Sequence, residues 1–523
     1  MSVIYGIYGQ NHGASIALVV DGKIVSCLEE ERFTRIKAGI SFQTVPYLSA
    51  EKIQEITGYK INEADHVMWV QPYPKEISDA WSEKYELLSH HYSHAASAYY
   101  TSNMQGKVLN VVYDGGGDVH NLRVFLCENG KMTLVKSEPH YLHGSLSHLW
   151  GYSTLSILPN WGWRMCKDEG KLMGMAADGY YDETIYNWLR DICDYKDLKF
   201  FPAGTSSKTR FLVTAMRENG MLDTQEQREV FSYNIQKLTN DLMIEFLNDL
   251  HKLYPEYTQV CFSGGLFANV KLNQKINQLD WVDEVYIVPP MGDEGVALGA
   301  ALWKANQLGE LEKPFELNDV FFGVSYSDFD VMTRFEQHSV KKKTYNPSEI
   351  AECLNNGEII GWFQDGFEHG PRALGARSIL VRPTDVSTHK VLNERLHRHD
   401  TMPFAPMVMS EHFDEIFVET KSKYTAEFMT MCYDTRDEWI EKIPAVIQKS
   451  DKTARPQIVR KDKLPKVWEI INEYYKLSGI PVVLNTSFNA HNEPIINSPE
   501  EAFVHLESGV IDKLVIGKYV YTK

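Results

Sequence analysis

Blocks of apolar residues separated by turn-forming residues predict a repeated strand, turn and strand arrangement in the first third of the chain. Apolar residues 14–20 lead into a tight turn at 21–22 and then into a second apolar run. The same pattern returns when the apolar run 108–113 enters a glycine-rich loop at 114–117 and turns again at 129–130. Two such copies predict an α/β fold with a duplicated nucleotide-binding domain.

The apolar positions between residues 228 and 253 recur mostly at helical spacing and predict a long helix before a strand at 259–262. The periodicity stops near residues 309–314, and polar residues follow. A chain of 523 residues is too long to fold around a single hydrophobic core, so more than one domain is expected. We therefore predict a first domain over residues 1–330, a linker at 331–345 and a second domain over 346–523.

Two arginines in the second domain lie in a glycine- and proline-containing segment between apolar runs that predict buried strands. Arg372 and Arg377 belong to the sequence Gly-Pro-Arg-Ala-Leu-Gly-Ala-Arg-Ser, which spans residues 370–378. Arginine offers bidentate donors to phosphate or carboxylate, and glycine lets backbone amides approach the same oxygens. This segment is predicted to be an anion-binding loop; a solvated loop with ion-paired arginines is the alternative.

Two histidines and two aspartates form a candidate metal site. His90 and His94 are four residues apart in a segment of small, helix-compatible residues, so both rings face the same side. Asp114 and Asp293 each follow an apolar run that predicts a strand. Two imidazoles with carboxylates favour iron, manganese or another borderline divalent ion. Hydrogen-bonded core histidines and an Asx turn or helix cap at the aspartates are the alternatives.

A second glycine pair is placed where a strand is predicted to pass into a helix. Gly264 and Gly265 let the backbone approach a nucleotide, and Asn269 offers an amide to a base or ribose. Together with Asp114 and the glycines that follow it, Gly115 and Gly116, the pair suggests two glycine-rich turns holding one nucleotide.

Composition narrows the class of protein. The chain is 43% hydrophobic and 24% charged, as in soluble globular proteins. A formal net charge of −17 disfavours general attraction to nucleic acid. Seven cysteines without a CxxC pair argue against a disulfide framework or a zinc–thiolate site, and favour buried free thiols. No membrane-length apolar span or signal-like amino terminus is evident, so we expect a cytosolic protein without a membrane partner.

Taken together, several segments resemble the NodU/CmcH-type O-carbamoyltransferases. The matching segments run from one end of the chain to the other and include residues 6–15, 29–35, the His90/His94 pair, 171–176, 370–378, 403–406, 453–457 and 484–489. The resemblance implies an actin-like (ASKHA) first domain and a YrdC-like α+β second domain. It also implies that ATP and carbamoyl phosphate yield carbamoyl-adenylate in the second domain, and that the first domain transfers the carbamoyl group to a hydroxyl.

The resemblance also assigns roles by position. Catalytic roles fall to His12 as general base and to Arg372 and Arg455. A divalent metal, Fe²⁺ with Mn²⁺ as the alternative, is bound by His90, His94, Asp114 and Asp293, and Mg²⁺ accompanies ATP. Nucleotide contacts fall to Asp114, Gly115, Gly116, Lys171, Gly264, Gly265 and Asn269. Carbamoyl phosphate and ATP contacts fall to Arg372, Arg377, Ser378, His397, Arg455, Asn485, Ser487 and His491.

The chain departs from the family pattern at four positions. Gly13 follows the amino-terminal histidine where the family usually has aspartate, so an acid that orients His12 must come from elsewhere. His397, Met402 and His491 stand where the family commonly places basic residues, which puts the contacts to carbamoyl phosphate in question.

Two other functions remain open at this point, as does the acceptor. A threonylcarbamoyl transferase acting on tRNA uses both domain types, and a catalytically inactive nucleotide-binding scaffold would fit the lost charges. The acceptor hydroxyl is left among sugars, antibiotics, other small molecules and a hydroxymethyl-pyrimidine, free or in DNA. Aromatic-rich segments at 69–81 and 160–165 are candidate walls for it. An oligomer is compatible with the sequence.

Overall fold

The computed structural model describes residues 2–9, 12–39, 45–70, 85–139, 142–157, 168–335, 340–396, 404–418 and 421–523. The chain forms two compact units. The N-terminal unit contains Met1–Val25 and Ala38–Leu317, and the C-terminal unit contains Ser26–Lys37 and Asn318–Lys523. A short segment from near the amino terminus is therefore counted with the C-terminal unit.

Two five-stranded sheets with the same strand order form the N-terminal unit. The first has the order β3-β2-β1-β4-β5, and the second has the order β8-β7-β6-β11-β12 when read from its other edge. The strands of the unit, of which β9 and β10 form a separate two-stranded sheet, are β1 (Val3–Tyr8), β2 (Ser15–Val20), β3 (Lys23–Glu29), β4 (His66–Val70), β5 (Tyr85–Leu88), β6 (Val108–Gly117), β7 (His120–Glu128), β8 (Lys131–Pro139), β9 (Asp194–Lys196), β10 (Lys199–Phe201), β11 (Gln259–Ser263) and β12 (Glu284–Ile287). The central strand of the first sheet, β1, pairs antiparallel with β2 and parallel with β4. The central strand of the second sheet, β6, pairs in the same way, antiparallel with β7 and parallel with β11. The duplicated α/β arrangement predicted from the sequence is confirmed.

Helices connect and cover these sheets. Those before residue 317 are α1 (Glu31–Thr34), α2 (Tyr47–Thr57), α3 (His90–Tyr100), α4 (Leu146–Ile157), α5 (Glu169–Ala176), α6 (Glu183–Ile192), α7 (Thr205–Glu218), α8 (Gln225–Leu253), α9 (Val270–Asn277) and α10 (Val296–Gln307). Short 3-10 helices at Ile61–Glu63, Gly265–Ala268 and Asp293–Gly295 complete the set described here. The long helix predicted over 228–253 is α8, which starts at a capping box of Thr224 and Gln227.

The C-terminal unit is built on an eight-stranded mixed sheet of order β13-β22-β21-β14-β15-β20-β16-β19. Its strands, with a separate pair β17 and β18, are β13 (Lys341–Thr344), β14 (Ile360–Phe363), β15 (Arg377–Val381), β16 (Ala405–Met409), β17 (Tyr433–Asp434), β18 (Thr453–Ala454), β19 (Gln457–Val459), β20 (Val482–Ser487), β21 (Lys513–Ile516) and β22 (Tyr519–Thr522). Its helices are α11 (Asp328–Phe335), α12 (Pro347–Asn355), α13 (Ser387–Arg395), α14 (Phe413–Ile416), α15 (Lys423–Ala426), α16 (Asp437–Ile440), α17 (Pro465–Ser478) and α18 (Pro499–Ser508), with 3-10 helices at Ser410–His412 and Pro444–Val446. Hydrophobic clusters lie against this sheet.

The units divide the chain at a different place from the predicted domains. The division falls at residues 317 and 318, and the segment predicted as a linker, 331–345, holds the end of α11 and strand β13. β13 is fully exposed along its length and includes three lysines, because it is an edge strand whose charged side chains face solvent. Such a strand has the polar composition of a linker.

The triple-glycine segment also differs from its prediction as a loop. Strand β6 continues through Gly117, with an irregular register between Tyr113 and Gly117. The turn comes later, at Asp118 and Val119, which both have positive φ. A Cβ atom on Gly117 would lie 2.2 Å from Cδ2 of His90, so this glycine lets the strand pass close to α3.

Close backbone packing fixes helix α10 against α3 and β1. A Cβ atom on Gly299 of α10 would lie 1.8 Å from the carbonyl oxygen of Ser93 in α3. A Cβ atom on Gly6 of β1 would lie 1.9 Å from the carbonyl oxygen of Ala297. Since α10 directly follows the 3-10 helix at Asp293–Gly295, this packing also fixes Asp293 relative to α3.

A Gly299→Ala substitution is expected to destabilise the N-terminal unit, because its methyl group meets backbone that cannot move independently. Overpacking of this kind costs about 1–3 kcal/mol, and a lower urea midpoint for the unfolding of this unit would show it. Gly170→Ala is the matched control, because a Cβ atom there meets nothing within 4 Å. Equal midpoints for the two variants would contradict the prediction.

Candidate metal centre and anion-binding loop

Four polar side chains from three parts of the N-terminal unit converge at the amino end of α3. The Nε2 atoms of His90 and His94 lie 3.1 Å apart, one helical turn from each other along the chain. Asp293 Oδ1 lies 3.2 Å from His90 Nε2 and 3.5 Å from His94 Nε2. Asp114 Oδ2 lies 3.7 Å from His90 Nε2. One ligand atom from each of the four residues falls within 4.8 Å of the others, so the structure brings the predicted ligand set together.

The cluster is buried, and its charges act strongly on one another. Burial favours the neutral imidazole, but Asp293 and Asp114 raise the pKa of His90 well above its ordinary value. Burial likewise opposes ionisation of Asp293, but His90 and His12 lower the pKa of that carboxyl well below its ordinary value. The carboxylates are therefore ionised at neutral pH.

The residues fit a divalent cation. Oδ1 of Asp293 is buried and accepts no hydrogen bond from the described residues, although it lies next to both Nε2 atoms. Two imidazole nitrogens and two carboxylate oxygens are donors that suit a borderline divalent metal such as iron or manganese. A bound cation would neutralise two buried anionic groups that otherwise rely on protonated histidine.

His12 faces the same carboxylate from the other side. Its Nδ1 lies 3.6 Å from Oδ2 of Asp293, and Tyr8 donates a hydrogen bond of 2.9 Å to that oxygen. The sequence left open which acid orients His12, and the structure identifies Asp293 as the carboxylate beside it. A Cβ atom on Gly13 would lie 2.8 Å from the Cβ of Asp293, so close packing leaves little room for the aspartate of the family pattern.

Sequence reasoning missed the side chain that caps α3. Oδ2 of Asp118 accepts the amide of His91 at 3.2 Å and the hydroxyl of Ser89, the residue just before the helix. Arg123 donates to the same hydroxyl. Asp118 satisfies a helix-terminal amide from outside the helix, so no local capping signal in the sequence could have identified it.

The predicted glycine turns meet at Asp114. Its Oδ1 accepts the amide of Gly265 at 2.8 Å, and its Oδ2 faces the amide of Gly116 at 3.4 Å. Gly264 has φ +97°, and a Cβ atom there would lie 2.3 Å from the carbonyl oxygen of Tyr113. The same carboxyl group therefore touches both the metal cluster and the second glycine turn.

Two predicted nucleotide contacts already have partners within the N-terminal unit. Oδ1 of Asn269 accepts the amide of Leu272 and thereby caps α9, and its Nδ2 donates to Gln236 at 3.0 Å. Lys171 on α5 forms an ion pair of 3.0 Å with Asp168. Binding of adenosine by either side chain stays a prediction.

In the C-terminal unit, the loop between β14 and β15 directs its backbone amides at a carboxylate of the protein. Oε1 of Glu368 accepts the amides of Leu374, Ala376 and Arg377 at 2.8, 2.8 and 3.0 Å. Gly375 donates to the hydroxyl of Ser378 at 3.2 Å. The predicted approach of the loop amides to a bound anion is therefore corrected at these positions, because the amides already have acceptors.

The two arginines of the loop have different environments. Arg377 is fully buried and donates to the carbonyl oxygens of Gln364, Asp365, Ala376 and Val324. Its guanidinium carbon lies 3.5 Å from the centre of the Phe363 ring, and burial lowers its pKa to about 10. Arg372 is only partly buried, at the turn of the loop. In this structure Arg377 braces the loop, so its predicted contact with substrate would need these carbonyl bonds to change.

Other predicted contacts border the same loop. Asn485 on β20 donates to the carbonyl oxygen of Ala373 at 2.8 Å, and Gln457 donates to that of Leu374 at 2.8 Å. Arg455, two residues before Gln457, has a buried Nε that forms no hydrogen bond with the described part of the chain. Ser487 donates to Asn489 at 2.5 Å.

The roles predicted for the other positions stay predictions. The backbone amide of His491 donates to the carbonyl oxygen of Leu396 at 3.2 Å. His397, Met402 and the segment 160–165 lie outside the described residues, as does most of 69–81.

Six cysteines are buried and free, as the sequence predicted for the described thiols. Among the described residues, no helix has the length and apolar character needed to cross a membrane.

Comparison with known proteins now identifies the family. Residues 53–302 match the family description "Carbamoyltransferase N-terminus", and residues 351–523 match "Carbamoyltransferase C-terminus". An uncharacterized protein of Methanocaldococcus jannaschii is 31% identical over 85% of this chain and 75% of its own length. The nodulation protein NolNO of Sinorhizobium fredii is 27% identical over 98% of this chain and 79% of its own length. The chain belongs to the carbamoyltransferase family and is a transferase of carbamoyl groups.

Likeness to solved structures is weak. The activator of the 2-hydroxyisocaproyl-CoA dehydratase of Clostridium difficile matches with a TM-score of 0.37 and 15% identity, covering 60% of this chain and all of that one. A score this low supports no inference about fold or function. The duplicated arrangement of the N-terminal unit rests on its own strand order, and the YrdC-like character of the C-terminal unit stays a prediction.

Replacing a candidate ligand is expected to abolish tight metal binding. His94→Ala removes one of four donors, so the affinity for Fe²⁺ or Mn²⁺ should fall by more than about 100-fold. Loss of a residue that merely orients a metal ligand already lowers the affinity by up to about 100-fold, and loss of the ligand itself should cost more. Anaerobic calorimetry and elemental analysis of the purified protein would measure this. His66→Gln is the control, because His66 contacts Glu86 in the same unit and is absent from the cluster. Unchanged metal content in His94→Ala would exclude the assignment.

Proposed function

We propose that this carbamoyltransferase is ATP-dependent and acts on hydroxyl acceptors. In this proposal the C-terminal unit, as a YrdC-like domain, forms carbamoyl-adenylate, and the actin-like N-terminal unit transfers the carbamoyl group. The observation that carries the proposal is the buried cluster of His90, His94, Asp114 and Asp293 with His12 against its outer carboxylate oxygen. Metal ligands and a partly exposed imidazole are thereby held within one site.

The proposed reaction has two stages, formation of carbamoyl-adenylate and transfer of its carbamoyl group. Carbamoyl phosphate and water give carbamate and inorganic phosphate, and carbamate attacks the α-phosphorus of ATP with release of pyrophosphate. The acceptor oxygen then attacks the carbamoyl carbon, the bond from that carbon to the AMP oxygen breaks, and AMP leaves. Carbamate is a poor electrophile, so the mixed anhydride supplies the leaving group that this transfer requires.

The residues of the N-terminal unit supply positioning and proton transfer in the second step. His12 is about one-third exposed, so it remains accessible to an acceptor, and its ring takes the hydroxyl proton. Oδ2 of Asp293 lies 3.6 Å from Nδ1, where a carboxylate can orient the ring. A divalent ion in the cluster would supply Lewis-acid polarisation of a phosphate oxygen of the adenylate. The turn at Gly264 and Gly265, whose second amide donates a hydrogen bond to Asp114, is the proposed binding site of the nucleotide.

The residues of the C-terminal unit supply cationic groups for the first step. Arg372 and Arg455 are the proposed ligands of carbamoyl phosphate and ATP, with Asn485, Ser487 and Ser378 beside the loop. Support comes from the buried Nε of Arg455 and from the bond between Asn485 and Ala373, the residue after Arg372. Guanidinium groups at these positions would stabilise the negative charge of the departing pyrophosphate.

An Arg455→Met variant is expected to lose pyrophosphate release, because it removes a cation while keeping much of the side-chain volume. Loss of one stabilising donor to a transferring phosphoryl group typically costs about 100- to 1000-fold in kcat. The assay supplies ATP, carbamoyl phosphate, Mg²⁺ and Fe²⁺ and measures pyrophosphate. Arg382→Met is the control, because Arg382 pairs with Asp385 at 2.8 Å in the same unit.

The same assay separates the alternatives. Pyrophosphate release that depends on carbamoyl phosphate and needs neither threonine nor bicarbonate would exclude a threonylcarbamoyl transferase. Nucleotide binding without turnover by the parent protein would exclude the proposal and favour the inactive scaffold. Mass spectrometry of hydroxylated acceptors, including sugars and hydroxymethyl-pyrimidine nucleotides, would then identify the compound that gains a carbamoyl group.

A further inference from the structure

A segment near the amino terminus contributes a buried ion pair to the C-terminal unit. Arg32 and Glu29 lie within Ser26–Lys37, which is counted with the C-terminal unit, and they are 1% and 4% exposed. Nε of Arg32 donates to Oε2 of Glu29 at 3.0 Å. The segment is anchored upstream by Ser26 and Cys27, which both donate to the carbonyl oxygen of Phe322.

This pair forms hydrogen bonds with both the amide and the carbonyl group of Gly370. Glu29 Oε1 accepts the amide of Gly370 at 2.5 Å, and Nη2 of Arg32 donates to the carbonyl oxygen of Gly370 at 2.7 Å. Arg32 also donates to the carbonyl oxygen of Glu368 at 3.3 Å. Gly370 has φ +111°, a conformation that favours glycine, and it is the first residue of the loop that carries Arg372.

The far side of the same loop is held from within the C-terminal unit by Glu368 and Arg377. Glu368 accepts three loop amides, and Arg377 donates to four carbonyl oxygens. The segment between these two anchors is residues 371–373, which contains Arg372. The carbonyl oxygen of Ala373 accepts a hydrogen bond from Asn485, so the backbone on both sides of Arg372 is held by the protein.

The buried ion pair of Glu29 and Arg32 is not explained by a contribution to folding stability alone. Apolar side chains of similar volume often replace a buried ion pair at no cost in stability, whereas they cannot form directional bonds to a backbone. Burial opposes ionisation of Glu29, but Arg32 and His369 lower the pKa of its carboxyl, so the pair is charged at neutral pH. Charge-assisted hydrogen bonds are the strong kind, and here two of them fix the backbone of Gly370.

We propose that Glu29 and Arg32 are positioning residues that hold the loop of residues 370–377 so that Arg372 meets carbamoyl phosphate in a fixed orientation. The inference rests on the proposed function. It assigns part of the donor site to a segment that lies about 340 residues earlier in the chain, as the sequence separation of 341 between Glu29 and Gly370 shows. Neither residue needs to touch the substrate.

Steady-state kinetics of the full-length protein test the proposal through Arg32→Gln. Loss of charge-assisted bonds to the loop is expected to raise KM for carbamoyl phosphate about tenfold or more, with a smaller change in KM for ATP. Arg32→Lys, which keeps a cationic donor, should recover part of the loss. Hydrogen exchange in peptides covering residues 370–377 should become faster in Arg32→Gln, whether or not the protein turns over.

Arg35→Gln is the matched control. Arg35 lies in the same segment and donates to the carbonyl oxygens of Pro494 and Ile495, which are not residues of the loop. It should change neither KM for carbamoyl phosphate nor exchange in the loop. Thermal melting identifies variants that fail to fold, and Arg32→Lys then takes the place of Arg32→Gln.

The outcomes separate this inference from the proposed function. If the parent protein releases no pyrophosphate with carbamoyl phosphate and ATP, the proposed function fails, whatever the exchange data show. If the parent is active and Arg32→Gln keeps its KM within about twofold and its loop exchange unchanged, the positioning role is overturned. Equal losses in Arg32→Gln and Arg35→Gln would overturn it as well, since they would indicate a structural effect of the whole segment.

Discussion

The position of Asp293 is set by backbone packing, and both sides of the candidate site in the N-terminal unit depend on its carboxylate. One oxygen faces His90 and His94, and the other accepts Tyr8 and faces His12. Its own segment cannot shift easily, because a Cβ atom on Gly295 would lie 2.1 Å from the carbonyl oxygen of Pro290, and α10 begins immediately afterwards. A change in α10 packing would therefore disturb the candidate metal ligands and the proposed general base together.

The two candidate sites satisfy their buried charges in opposite ways. In the N-terminal unit, the oxygen of Asp293 that faces the histidines accepts no hydrogen bond from the described residues, and two carboxylates share one buried cluster. In the C-terminal unit, Glu368 accepts three of the loop's amides and Arg377 donates to three of its carbonyl oxygens. The first arrangement has the donors to bind a cation. The second bonds the loop to groups of the protein itself, which is what a preorganised loop requires if binding is to order few further groups.

Sequence reasoning found what local patterns encode and missed what distant segments supply. The i, i+4 spacing of His90 and His94 was enough to place both rings on one face of α3, because helix periodicity sets that face. Asp114 and Asp293 were predicted at strand ends and do join the cluster, although Asp114 lies within β6 and Asp293 lies in the 3-10 helix after β12. The triple glycine was predicted as a loop because glycine composition does not distinguish a bulged strand from a turn. Asp118 and Glu368 act on backbone groups, which any sequence possesses, so no partner residue type marked them. Glu29 acts in the same way, and the resemblance marked its segment, 29–35, without giving it a role.

The route of the chain makes the C-terminal unit dependent on residues near the amino terminus. Strand β3 starts in the N-terminal unit and ends in the segment that carries Glu29 and Arg32. A single cut between the units, at residue 317 or at the predicted linker, would therefore give a C-terminal fragment without the two side chains that bind Gly370. An isolated fragment would keep the sheet and the arginines and still lack part of the loop's support. Its catalytic failure would then say little about the intact site, which is why the loop has to be studied in the whole chain.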